Sequence, residues 1–349
     1  MRCYRYITLR LARRLSVLVC ASSLSFLASF QLHASETPRL DFSGFFFGDL
    51  YYIPSHHTAE GDGASGGVLR RLLLTADATL DDDWSARARL EAYHEGAFEN
   101  YELTHRVLDL GMTRKLGDHR LSAGLIPTLT YDVMESFWGK RYLVRTAPDI
   151  QGIAARDLGV KLMGPLSSDG GLSYRVMYGS KETWEADKNP FDKVMGGVTW
   201  RGNDGWLVDA YADWESRPGP YDRRTWQFLV GKKTDQYTLG LEYLNQDRDE
   251  DPDLELATVL GVLKLGGRWS LMGQLHRLFK PSVKGNDIAY IPFDPTAKAT
   301  NLVGGLEYRV NEHVTLSPNI VWTRYGINES GVQPEDDLHL RLTFYVNFE

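Results

Sequence analysis

Thiols are nearly missing from this 349-residue chain, and its two cysteines, Cys3 and Cys20, both fall within the first 20 residues. That placement cannot build a disulfide framework. Also missing, beyond residue 34, is any apolar run near the ~20 residues a spanning helix needs. With a mean hydropathy of -0.33, this excludes a multi-span helical membrane protein. Positive charge is not in excess either: 39 Lys and Arg face 46 Asp and Glu, a net of -7. A nucleic-acid binder carries the opposite sign. Gly-x-Ser-x-Gly occurs once, at Gly63-Ala64-Ser65-Gly66-Gly67, without the strand-to-helix turn that a nucleophile elbow needs, and the Gly-rich run 60–67 has no Lys-Ser/Thr ending and no helix pattern after it. It is therefore not a phosphate cradle, and no cofactor is expected.

What the chain does have is 33 Gly, 18 Tyr, 9 Trp and 12% aromatic residues. That is too aromatic for disorder. Residues 1–34 carry Arg2, Arg5, Arg10, Arg13 and Arg14 without an acid, then an apolar stretch from Leu15 to Phe30, then Ala34 before a polar start. A basic, apolar, small-residue order describes a cleaved secretory signal peptide. A membrane anchor is the alternative, and the bulky Val19 before Cys20 argues against a lipoprotein site. Cleavage after Ala34 leaves residues 35–349, with 34 basic and 46 acidic residues, a net of -12. This remainder has no cysteine, as suits an oxidising compartment.

Length alone suggests two domains; the patterning suggests one. Along 35–349 the repeated pattern has period two, which places alternate residues on opposite faces of a strand. From Asp337, the residues Leu338, Leu340, Leu342, Phe344, Val346 and Phe348 alternate with His339, Arg341, Thr343, Tyr345 and Asn347. Sixteen candidate strands follow, at 39–53, 68–80, 84–95, 103–114, 119–127, 156–164, 172–179, 191–200, 206–215, 224–232, 237–246, 256–265, 269–278, 300–310, 314–325 and 337–348. The stretches 103–114, 119–127, 191–200 and 256–265 show the pattern least cleanly, so 14 or 18 strands also fit.

The connections alternate short and long. Short ones include Asp81-Asp82-Asp83 and 311–313, and the long ones are 54–67, 96–102, 128–155, 180–190, 216–223, 247–255, 279–299 and 326–336. All tight turns then lie at one end of an up-and-down sheet, the habit of an outer-membrane β-barrel. Aromatic residues mark both ends: Trp84, Trp200, Trp206, Tyr237, Trp269 and Phe348 beside the short turns, Tyr52, Tyr178, Trp214, Trp226 and Trp322 nearer the long ones. Two such belts belong at two membrane interfaces. The fold expected is an all-β, transmembrane, antiparallel barrel of about sixteen strands.

The stretch Gly124-Leu125-Ile126-Pro127, then a long loop, then Arg156-Asp157-Leu158-Gly159-Val160-Lys161-Leu162-Met163-Gly164, resembles the bacterial outer-membrane porin superfamily. It is most similar to the phosphate-selective porins of the O and P type. The specific likeness covers about 45 residues. It implies a sixteen-stranded barrel, a homotrimer, a third long loop folded into the lumen, and phosphate selectivity through lumenal arginines and lysines. The final strand resembles the C-terminal signal read by the barrel assembly machinery.

If apolar positions face lipid, the opposite parity lines the pore. That parity holds Arg71, Arg87, Arg89, Arg120, Lys161, Arg175 and Lys193, with the acids Asp77, Glu91, Glu95, Asp109 and Asp157 on the same arc. Opposite them it holds Asp209, Asp213, Glu215 and Glu242. Segregated charge would set a transverse field and an ion preference, or the charges simply hydrate the channel and pair. Arg87 and Arg89, two residues apart on one face, are a candidate anion filter or else partners of Glu91 and Glu95. Loop 128–155, with Glu135, Lys140, Arg141, Arg145 and Asp149, is a candidate constriction, or else an exposed loop against lipopolysaccharide or a neighbouring protomer.

Two clusters promise less. The acidic loop from Asp247 to Glu255 is a solvated loop before it is a calcium site. His56 and His57 are adjacent, so they should point apart in an extended chain, and no metal is expected there. Function reads as passive diffusion of small hydrophilic or ionic solutes, phosphate-like anions among them. A barrel enzyme, or a structural or adhesive barrel, is the alternative; sixteen strands leave an open channel, which favours the first.

Overall fold

A computed structural model of the chain describes residues 38–94, 96, 102–180 and 193–348. The leader 1–34, Glu95, the first two residues of the 191–200 strand and Glu349 lie outside the described residues. Sixteen strands follow in order: β1 (Arg39–Ser55), β2 (Ser65–Thr79), β3 (Trp84–His94), β4 (Leu103–Leu116), β5 (His119–Pro127), β6 (Arg156–Pro165), β7 (Leu172–Gly179) and β8 (Lys193–Arg201). The second half comprises β9 (Trp206–Glu215), β10 (Arg223–Lys233), β11 (Tyr237–Asp247), β12 (Leu254–Gly266), β13 (Trp269–Leu278), β14 (Ala299–Arg309), β15 (Val314–Tyr325) and β16 (Asp337–Phe348). Each strand pairs antiparallel with its neighbours in sequence, and β1 pairs with β16 from Gly44–Phe348 to Ser55–Leu338, which closes the barrel. Closure leaves no strand edge to satisfy.

Short turns hold by side-chain capture of backbone donors. Asp81 accepts the amides of Asp83 and Trp84 at 2.9 and 2.7 Å, and Asn311 does the same for His313 and Val314 at 2.9 and 2.8 Å. These Asx turns pre-form the bend. The alternation sorts as expected. Leu340 and Leu342 point outward with about 40% exposure, while His339, Arg341 and Thr343 are buried inside. Trp200, Trp206 and Trp269 ring the short-turn end; Tyr52, Tyr178, Trp214, Trp226 and Trp322 ring the other, all exposed. An apolar outer band bounded by aromatics is the outer surface of a membrane barrel.

That surface carries a prediction. Leu241 lies outward in mid-strand between Val230 and Val259 and is 57% exposed. Leu241→Arg should therefore cost about 2–4 kcal/mol of folding stability in lipid, as read by denaturant titration of folding into vesicles. A loss below half a kilocalorie would place that face outside hydrocarbon.

The inner wall differs from expectation. Along β10–β15 it is mixed: Leu229, Leu244, Leu256, Leu260, Met272, Val303 and Val321 all point inward and are buried, among polar neighbours such as Gln227, Glu242, Gln274 and Asn301. The apolar ones pack in one cluster with Val133, Met134, Phe137, Trp138, Leu143, Val144 and Ile150 of loop 128–155, and with Ile288, Ile291 and Phe293 of loop 279–298. Both faces of β12 are therefore apolar, which blurs its alternation. In β4 the cause is a β-bulge. Pairing with β3 shifts between Arg89–Asp109 and Leu90–Val107, which leaves Leu108 as the extra residue and flips the parity there.

Candidate functional site

Loop 128–155 enters the barrel. Its first part is helix α1 (Leu129–Trp138), and a second turn, α2 (Ala147–Ile150), follows. Gly139, at φ 64°, ends α1 by giving its amide to the Glu135 carbonyl; this left-handed cap suits glycine. Lys161 of β6 anchors the start of the helix, donating to the Pro127 carbonyl at 3.0 Å and to Asp132 Oδ2 at 2.6 Å. The Phe137 ring sits where side chains would otherwise stand. A Cβ on Gly231 would lie 2.2 Å from its Cζ, and one on Gly240 would lie 2.5 Å from its Cε1. These two glycines pair across β10 and β11, so together they form a recess the width of a phenyl ring. Beyond the helix, Lys140 and Tyr142 reach Glu307 on β14, and Arg70 donates to the Tyr142 carbonyl.

With the loop seated on one side, the open lumen runs along β1–β4 and β16. Three cavities lie along it. The outer one, of about 830 Å³, is lined by seven cationic side chains, Arg70, Arg71, Arg106, Arg141, Arg145, Lys284 and Arg341, against Glu60 and Asp287. The middle one, about 320 Å³, carries Arg71, Arg106, Arg141, Arg145, Arg156 and Lys284 against Asp149 alone. The third, about 410 Å³, opens toward the short turns with Arg71, Arg89, Lys140, Arg141, Arg156 and Arg309 against Glu135 and Glu307. Arg71 and Arg141 line all three, at the waist where loop 128–155 faces β2.

Acids hold these arginines without neutralising them. Glu91 is shared between Arg71 and Arg106, the latter at 2.6 Å. Asp109 serves both Arg156 and Arg89, the latter at 3.1 Å. Arg141 grips Asp149 at 2.7 Å and Glu135 at 3.0 Å, with Arg145 3.9 Å from Asp149. Burial pushes the Asp149 carboxyl up, but Arg141 and Arg145 outweigh it and hold it down at about 2. The Tyr131 ring lies beneath two guanidiniums, 4.2 Å from Arg156 and 5.3 Å from Arg141. Sharing one carboxylate between two guanidiniums leaves net positive charge at fixed positions, which favours an anion.

Several expected positions are corrected. Arg87 does not pair with Glu91. It makes a two-point contact with Asp77 across the β2–β3 ladder, at 2.7 and 2.9 Å, because Asp77 is its directly opposite residue. Both groups are nearly half exposed, so Arg87→Ala should change barrel stability by less than about 1 kcal/mol, measurable by the same vesicle-folding titration. Arg89 likewise turns to Asp109. Glu91 faces inward but is held by Arg71 and Arg106, and Arg120 is exposed near the short turn, away from the waist.

The acidic arc is not an open wall. Arg175 binds Asp209 at 2.9 Å, Lys193 lies 3.2 Å from Asp213 and 3.4 Å from Glu215, and Glu242 accepts from Gln227 at 2.5 Å. All are buried, on the side where α1 packs, and are paired there rather than facing open water. In the loop 247–255, Asp251 and Asp253 bind Arg223 and Lys280 at 3.2 and 2.5 Å rather than forming a calcium cage. His56 and His57 do not point apart: they stack at 4.5 Å between ring centroids.

Three lumenal arginines escaped the parity rule. Pairing of β1 with β2 shifts between Phe47–Arg71 and Gly48–Leu69, so Arg70 is a bulge residue and faces inward beside Arg71. The Arg70-Arg71 doublet was itself the available signal, since one of two adjacent arginines on a regular strand would face lipid. Arg106 lies before the bulge at Leu108 in β4, on the side where the parity is inverted relative to Asp109, and Arg156 stands at the first residue of β6, where alternation no longer binds.

No protein-family model matches the sequence, and no curated protein matches it. Solved structures with the same fold do exist. The outer membrane channel DcaP of Acinetobacter baumannii is 14% identical, with a TM-score of 0.64 over 91% of this chain and 99% of that one. An anion-selective porin from Comamonas acidovorans is 14% identical, with a TM-score of 0.60 over 89% and 100%. The outer membrane protein OmpT of Vibrio cholerae, in a trimer form, is also 14% identical, with a TM-score of 0.57 over 90% and 100%. At this identity the likeness is one of fold: a closed sixteen-stranded barrel shared with bacterial outer-membrane porins.

Proposed function

We propose that this chain is an outer-membrane porin whose channel passes small hydrophilic and ionic solutes and favours anions, phosphate among them. One observation carries the reading: the middle cavity beside loop 128–155 is lined by six cationic side chains and one acid. A narrow, low-dielectric passage with such a lining concentrates anions and repels cations. The Comamonas acidovorans structure is described as anion-selective, which agrees with this reading without carrying it. The role is passage, not catalysis.

The rest of the proposal follows from a barrel with an apolar outer band. Its leader directs export, its last strand engages the assembly machinery, and its outer face meets lipid and lipopolysaccharide. It assembles as a homotrimer, as the trimer form of the Vibrio cholerae protein suggests. Reconstituted protein should give discrete conductance steps in a planar bilayer, with a reversal potential of anion-selective sign in a potassium chloride gradient. Absence of steps from folded protein would sink the channel; a cation-selective sign would sink the anion preference alone.

A further inference from the structure

At the long-loop end of the barrel, two regions far apart in sequence meet around one carboxylate. His56 and His57 follow β1, Tyr325 ends β15, and Asp337 begins β16. We infer that His56, His57 and Asp337 form a binding site for one divalent transition-metal ion of the Zn²⁺ class, with water as the fourth ligand. The inference is independent of the channel reading.

Geometry comes first. One ligand atom from each of His56, His57 and Asp337 lies within 4.8 Å of the others. His57 Nδ1 stands 2.9 and 3.0 Å from the two Asp337 oxygens, His56 Nδ1 stands 3.9 Å from Oδ1, and the Tyr325 hydroxyl lies 3.4 Å from His57 Nδ1. Tetrahedral Zn²⁺ with bonds of about 2.0–2.1 Å has ligand–ligand edges of about 3.3 Å. The observed separations bracket that value, so modest side-chain movement would seat an ion.

Donor chemistry narrows the metal. Two imidazoles and a carboxylate suit Zn²⁺, Cu²⁺ or Ni²⁺, whereas Ca²⁺ and Mg²⁺ demand shells of oxygens. The surroundings fit as well. His57 Nε2 lies 2.8 Å from the Asn286 side-chain oxygen, so with Nδ1 on a metal the other ring nitrogen donates outward, as ligating histidines do. His56, Asp337 and Tyr325 are each no more than 2% exposed. Asn286 and Thr58 line the outer cavity, which gives an ion a route in from water.

Coordination here is a ligand exchange without redox chemistry. The ion takes the place of the proton that His57 Nδ1 shares with Asp337, and that proton leaves to solvent. At His56, Nδ1 gives up the Thr58 amide and hydroxyl contacts at 3.0 Å that it now accepts. A bound ion would then tie loop 56–64 to the β15–β16 wall beside loop 279–298.

The test uses the folded full-length protein in detergent micelles. Equilibrium dialysis against Zn²⁺ should show about one tightly held ion per protomer, with affinity lowered roughly tenfold or more in His57→Ala and in Asp337→Asn. Equal uptake by the wild type and both variants would place the ion elsewhere and overturn the proposal, as would no uptake by the wild type. Should either variant fail to fold, Co²⁺ added to the wild type decides. Intense tetrahedral visible absorption that Zn²⁺ abolishes supports the site; a weak octahedral spectrum or none overturns it.

Discussion

In a potassium chloride gradient, Arg71→Ala combined with Arg145→Ala should move the reversal potential strongly toward the cation side. These two arginines suit the experiment because neither removal strands a buried acid. Glu91 keeps Arg106 at 2.6 Å, and Asp149 keeps Arg141 at 2.7 Å. A unit charge about 7 Å from a passing ion, at an effective dielectric of about 20, acts with about 2 kcal/mol. Two such charges, after screening by salt, still correspond to a roughly tenfold fall in chloride-over-potassium permeability. Arg87→Ala, whose donors are engaged by Asp77 near the short turns, should leave the ratio almost unchanged. Equal shifts from both variants would mean that selectivity arises from overall charge and not from the waist.

The second large effect concerns the seat of the loop. Gly231→Leu with Gly240→Leu fills the recess that now holds the Phe137 ring, since even a Cβ at either position stands within 2.5 Å of it. Losing a buried phenylalanine costs about 3–5 kcal/mol, and beside Trp138 the Phe137 ring is among the largest buried side chains of the loop. We expect loop 128–155 to leave the wall, single-channel conductance to rise roughly twofold or more as the waist widens, and the loop to become a protease target. Adding Phe137→Ala to the double variant should restore part of the seat, because the leucines then occupy the volume the ring vacates. Unchanged conductance in the double variant would show that the other contacts, Lys161 with Asp132 and Lys140 with Glu307, hold the loop by themselves.

Strand placement was nearly complete in the sequence because a two-faced wall leaves a strict trace. One face must suit lipid and the other must not, so β7, β9, β13, β15 and β16 begin and end where the alternation does. The trace faded where a third surface intervened. Beneath the inserted loop, Leu256 and Leu260 face inward to meet apolar side chains, and two-state alternation cannot encode that. Bulges defeated it differently, since one extra residue at Arg70 or Leu108 inverts the parity beyond it. The waist was legible only in part: Arg71, Arg89, Arg141 and Arg145 were picked out, while Arg70, Arg106 and Arg156 were not. The meeting of His56, His57 and Asp337 was not legible at all, because contacts separated by 280 residues depend on how a loop bends back.

The packed half of the lumen bears on how this barrel comes into being. Loop 128–155 lies between β5 and β6, yet its seat is built from β10, β11 and β14, and Lys140 meets Glu307 across 167 positions. An empty ring of strands would expose Leu229, Leu244 and Leu260 to a watery interior, a penalty of roughly 1.5–3 kcal/mol for each side chain. Such a ring is less stable than the filled one by that amount. The last seam, β1 against β16, gains from a loop already docked on the sheet, because the Tyr142 ring lies tilted against Tyr345 of that final strand at 5.0 Å. Insertion and closure therefore stabilise each other through non-local contacts, which fold slowly, and the loop serves as a form against which the cylinder is wrapped.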